Sequence, residues 1–192
     1  ERLCNKRTIN QNLLMVIQNE SQMNRSNAFY YEDFESVTTP ALPTNMTTET
    51  NETGLNGGGF YTGNASNANA NTFWPVPTHT IFAMCNDDAG YLGWGAGQQP
   101  EGGNYDASFE VLRLPTFDLT NESGLFMSFA YYHDQMYGGG DATVETSIDG
   151  GLTWTAELTL EVAEEWQLGA VDLTSFSGQS SLDIRITWSD DN

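Results

Sequence analysis

Carboxylates are the residues in this chain whose types and spacing best suit chemistry, and the chemistry they suit is binding of a hard cation. Asp33 and Glu35 lie two apart, so on an extended strand both side chains leave the same face. Asp87 and Asp88 sit in Asn86-Asp-Asp-Ala-Gly, which reads as a turn where a carboxylate and a backbone carbonyl reach a common point. Such oxygens in a flexible loop suit Ca²⁺ better than a transition metal. The EF-hand loop pattern is absent, so an ion site here is assembled from distant segments. The alternative leaves these groups as solvated charges in a chain with 26 Asp and Glu residues.

Aromatic side chains offer a second chemistry. Tyr30, Tyr31, Phe60, Tyr61, Phe73, Trp74, Tyr91 and Trp94 include several in Gly- and Asn-rich segments, notably Tyr91-Leu-Gly-Trp-Gly-Ala-Gly. Exposed Tyr and Trp rings beside Asn suit a sugar- or protein-binding face. Tyr61, Trp74, Tyr91 and Trp94 are therefore candidate ligand-binding residues, with a place at the edge of the core as the alternative.

Catalytic signatures are missing. His79 and His133 are the two histidines, and on a strand the adjacent His133 and Asp134 point to opposite faces, which is poor geometry for a dyad. There is no Gly-x-Ser-x-Gly, no His-Glu-x-x-His and no phosphate-cradling loop. Paired carboxylates occur in any acidic chain and do not by themselves indicate glycoside hydrolysis. A non-catalytic role is expected.

The charge balance excludes further classes. Six Lys and Arg against 26 Asp and Glu give a net charge of -20 over 192 residues, a field that repels phosphate backbones and anionic lipid surfaces. Nucleic acid and direct membrane insertion are not expected partners. Arg2, Lys6, Arg7 and Arg25 are all N-terminal, leaving Arg113 and Arg185 for the acidic remainder. Divalent cations would relieve its self-repulsion. No run of about 18 apolar residues is present to span a membrane. Leu13 to Ile17 is too short for a signal-peptide core and lacks a small-residue cleavage site. A start at Glu1 suggests a processed chain or a fragment. Cys4 and Cys85 cannot build a structural zinc site alone; they form one disulfide or remain two thiols.

These groups need elements to hold them. Asn10 to Glu20 contains good helix formers without Gly or Pro, so residues 1–28 read as an extension or linker with a short helix. Residues 44–72, rich in Thr, Asn and Gly, read as a long surface loop or a series of very short strands. Alternating segments then follow: 80–85, 108–114, 124–133, 142–148, 153–158, 166–173 and 181–188. Along 124–133, Leu125, Met127, Phe129 and Tyr131 share one face. The Asp149-Gly-Gly turn joins two of the segments into a hairpin, with Trp154 expected to anchor it to the core. With Leu125, Met127 and Phe129, the residues Val144, Trp154, Leu182, Ile184 and Ile186 are expected in the interior. Residues 29–192 are predicted to form an all-β, antiparallel two-sheet jelly-roll sandwich.

The order of features carries a resemblance. Glu32-Asp-Phe-Glu-Ser on a first strand is followed by Asn86-Asp-Asp-Ala-Gly, Leu114-Pro-Thr-Phe-Asp-Leu-Thr and Leu125-Phe-Met-Ser-Phe. Val144-Glu-Thr-Ser-Ile-Asp-Gly-Gly-Leu-Thr-Trp and Val171-Asp-Leu-Thr-Ser-Phe-Ser-Gly-Gln complete the series. Over residues 29–192 this resembles the cleaved-adhesin, or choice-of-anchor J, domains of secreted Bacteroidota proteins, relatives of the MAM jelly rolls. Leu112-Arg-Leu-Pro replaces the family's Ile-Ser-Pro, and the family's further Asp-rich strand would follow Asn192. That strand is expected from the chain's own continuation or a neighbouring subunit. The resemblance implies an extracellular or cell-surface location and type IX secretion. It also implies a calcium ion pinning the first strand against later loops, with Asp33, Glu35, Asp87, Asp88 and Asp106 as ligands.

The expected function is a non-catalytic adhesion or ligand-binding module for a surface glycan or protein. The alternatives are a structural domain or accessory subunit of a surface filament or secretion-linked assembly, with other subunits of that assembly as partners, and an appended domain of a secreted hydrolase.

Overall fold

The computed structural model describes residues 28–51, 59–68, 76–85, 109–134 and 140–189. The expected N-terminal helix, Cys4 and the strand expected after Asn192 lie outside them. The chain divides into residues 1–32 and residues 33–192, and every strand among the described residues belongs to the second unit. In chain order the strands are β1 (Thr47–Thr50), β2 (Tyr61–Gly63), β3 (Phe82–Met84), β4 (Phe109–Arg113) and β5 (Phe126–His133). They continue with β6 (Ala142–Ser147), β7 (Thr155–Leu160), β8 (Ala163–Asp172) and β9 (Asp183–Ser189).

The fold is all-β, and every strand pairing is antiparallel. One sheet runs β1-β4-β9-β6-β7, β5 pairs with β8, and β2 pairs with β3. Between β4 and β9 the chain passes repeatedly from the large sheet to the β5–β8 pair and back, the interleaving of a jelly-roll sandwich. The expected strands from β3 onward are all present. The described residues of 44–72 contribute two very short strands and one helical turn, Ala65–Ala68.

Alternation builds the core. Leu125, Met127, Phe129 and Tyr131 pack against a cluster centred on Val144, Leu182 and Ile184, which are nearly or fully buried, with Ile186 beside it. Burial of such side chains contributes about 1.5–3 kcal/mol each. Phe129 faces Gly169 across the β5–β8 pair. A Cβ at Gly169 would lie 2.5 Å from the Phe129 ring, so the glycine makes room for that ring.

Trp154 departs from the expectation that it anchors the hairpin in the interior. It is half-buried beside the outer face of the large sheet, where the guanidinium groups of Arg113 and Arg185 lie 4.9 and 4.2 Å from its ring centroid. Arg113 pairs with Glu49 and Arg185 with Glu145. The indole N–H donates to the Gly151 carbonyl at 3.0 Å, which sets the ring against the turn and leaves its face to the arginines.

The turn itself is held by side chains. The Asp149 carboxylate accepts from the Ser147 hydroxyl, the Thr153 N–H and the Thr153 hydroxyl, while Ser147 Oγ accepts from the Gly151 N–H. Gly150 and Gly151 have φ of +74° and +83°, conformations that L-residues adopt at a cost.

Candidate functional site

The first expected ligands lie in a turn, not on a strand. No strand includes Glu32 to Ser36, and Phe34 has a left-handed φ of +59° that breaks the extended path the shared-face reading required. Asp33 Oδ1 accepts from the Glu35 N–H at 3.2 Å, closing the turn locally. Glu35 instead reaches the approach to β3, where its Oε1 accepts from the Ile81 N–H at 3.2 Å.

That bond borders a cleft. The β2–β3 register pairs Gly63 with Phe82, so residues 64–66 and 78–81 leave the ladder at the same end. A shallow cleft of about 290 Å³ opens there, lined by Glu35, Asn64, Ser66, Thr78, His79 and Thr80. Asn64 Oδ1 accepts from the Ser66 N–H at 2.9 Å at the start of the helical turn, the arrangement that favours Asn at such positions. Thr80 Oγ1 lies 3.4 Å from His79 Nδ1, a long contact.

Aromatic rings support this rim. The exposed His79 imidazole lies 4.6 Å from the Trp166 ring, tilted by 45°, and Phe82 meets the same indole edge-on at 5.2 Å. Trp166 donates its indole N–H to the Pro77 carbonyl at 3.1 Å, fastening β8 to the segment that carries Thr78 and His79. Tyr132 packs 6.2 Å from Trp166 and donates its hydroxyl to Asp134 Oδ2. Burial and that bond push the Tyr132 phenol up to about 12, so it remains a neutral donor at ordinary pH.

Of the other expected site residues, Tyr61 is the one that lies among the described residues. Tyr61, expected on an exposed binding face, is buried with Phe82 and Met84 against Trp166 and Val76, because the short β2 turns it inward. Burial first, and Cys85 second, raise its phenol above the usual tyrosine range. Trp74, Tyr91, Trp94, Asp87, Asp88 and Asp106 lie outside the described residues. Among the described residues, no three His, Cys, Asp or Glu side chains gather as a metal cluster. His133 is buried in the sandwich, with Nδ1 3.0 Å from the Leu160 carbonyl oxygen.

Sequence reasoning did not single out Asn64, Ser66, Thr78 and Trp166 as neighbours. Asn64-Ala-Ser carries a legible turn signature, but only the pairing of β2 with β3 brings it opposite His79. Comparison with family models, curated proteins and solved structures finds no match.

Proposed function

We propose that this chain is a non-catalytic extracellular binding module of a cell-surface protein, of the choice-of-anchor J kind, and that calcium stabilises it. The observation that carries this reading is the cleft at the end of the β2–β3 pair. It holds a carboxylate, an amide, hydroxyls and an imidazole, and its one hydroxyl–imidazole contact among the described residues, Thr80 to His79, is long at 3.4 Å. Convergent polar side chains on a supported rim suit recognition. Asp33 and Glu35, together with Asp87, Asp88 and Asp106, are the oxygen donors proposed for the ion.

Binding of the labelled full chain to immobilised extracellular glycoproteins, before and after enzymatic deglycosylation, tests the module. Saturable binding to either form is expected; failure to bind both overturns the reading. A second role, as a domain of a surface assembly, draws support from Phe126 and Leu168, which are 39% and 45% exposed on the outer face of the β5–β8 pair. Such apolar exposure suits contact with another subunit.

A further inference from the structure

We propose that the cleft bounded by Glu35, Asn64, Ser66, Thr78, His79 and Thr80 binds a neutral saccharide chain. This rests on the binding-module reading and adds the chemical class of the ligand. The lining supplies short, directional acceptors and donors in several directions, which suits a polyol whose hydroxyls both give and accept hydrogen bonds. The exposed His79 ring adds an apolar plate, backed by Trp166 at 4.6 Å, for the C–H face of a pyranose.

Charge and composition select among ligand classes. With 24 acidic and two basic residues from position 28 onward, the surrounding field disfavours phosphate, sulfate and carboxylate ligands. Among the described residues, an apolar peptide would find only Ala65 and Ile81 as aliphatic lining. A cationic peptide would meet a single carboxylate among the described lining residues, Glu35, one of whose oxygens already accepts from Ile81. A neutral saccharide needs neither a large apolar surface nor a second carboxylate.

The rim is organised before ligand arrives. Trp166 holds the Pro77 carbonyl, Glu35 holds the Ile81 N–H, and Asn64 holds the Ser66 N–H. Less ordering is then required on binding. The mouth is open to solvent, so affinity at this one site should be weak.

Native gels containing soluble glucan, mannan, galactan or xylan, one polymer per gel, test the proposal with the full chain. At least one polymer should retard the protein, and Thr78→Val or His79→Ala should weaken that retardation about tenfold, the loss of about 1.4 kcal/mol. His79→Phe keeps a ring, and with it the plate, against Trp166, so retardation retained by this variant and lost in His79→Ala marks the ring as a ligand contact. No retardation by any polymer, or wild-type retardation of both Thr78→Val and His79→Ala, overturns the saccharide assignment. If no polymer retards the parent while it binds deglycosylated protein, the binding module stands and the saccharide falls. Capture by a lysine-rich peptide in place of the polymers likewise overturns the ligand class.

Discussion

Leu119 and Leu173 occupy equivalent positions in two copies of one seven-residue turn, Asp118-Leu-Thr-Asn-Glu-Ser-Gly and Asp172-Leu-Thr-Ser-Phe-Ser-Gly. In both, the aspartate accepts from the N–H of the threonine, at 2.9 and 2.8 Å, and the leucine carbonyl accepts from the N–H three residues on. Both leucines are buried in the same core cluster. The turns also bind across one another: Leu119 N–H donates to Gln179 O, Gly178 N–H donates to Leu119 O, and Leu173 N–H donates to Leu125 O. Leu119→Ala and Leu173→Ala should each cost about 3 kcal/mol, as for other buried leucines. Urea denaturation checks this, and a loss below about 1 kcal/mol at either position would deny that turn its anchoring role.

Arg113 and Arg185 face one another across β4 and β9, a like-charge pairing that would be unfavourable alone. Trp154 and the glutamates offset it by giving each guanidinium a ring face and a carboxylate. The two should differ in weight. The Arg185–Glu145 side chains are 16% and 19% exposed, against 30% and 52% for Arg113–Glu49. Arg185→Ala leaves Glu145 poorly solvated and should cost about 2 kcal/mol, a value discounted from fully buried pairs. Arg113→Ala should cost about 1 kcal/mol or less. Equal losses on denaturation would contradict the difference in solvation.

Asp149 links the same hairpin to pH. Bonds from the Thr153 hydroxyl, the Thr153 N–H and the Ser147 hydroxyl hold its carboxyl down at about 2. A folded value below the unfolded one, about 3.9, means the ionised form favours folding. That stabilisation is present above the unfolded value and is lost as pH falls through the folded one. The stability difference between the parent and Asp149→Asn should therefore be largest above about pH 5 and shrink toward about pH 2. A difference that stays constant through that range would show that ionisation of Asp149 is not what holds the turn.

Strands were legible where alternation is long, as in β5, whose inward Met127, Phe129 and Tyr131 follow the sequence pattern. Trp154 was misplaced because a lone aromatic after a turn fits either face, and only the lateral approach of Arg113 and Arg185 decides between them. Asp33 and Glu35 failed the strand reading because the φ of Phe34 is a local choice that periodicity does not record. The repeated Asp-Leu-Thr turns were visible in the letters, yet their mutual bonding is a tertiary fact. The cleft was the least legible feature, since it depends on which residues leave the β2–β3 ladder together.

Calcium dependence can be separated from general charge screening. A chain at -20 should gain stability from any salt that shortens the range of its self-repulsion, with a Debye length of about 10 Å at 0.1 M. A specific ion does more, because binding only the folded state adds about 3 kcal/mol at a hundredfold excess over Kd. Melting should therefore be compared in calcium, in chelator, and in sodium chloride matched for ionic strength. Calcium is expected to raise Tm beyond the matched salt, and Glu35→Gln combined with Asp88→Asn should remove that excess. The glutamine keeps an oxygen able to accept from the Ile81 N–H, so the substitution tests charge more than the local bond. If matched sodium chloride reproduces the calcium effect, or the double variant retains it, the proposed ion site is wrong and its carboxylates act only through the overall field.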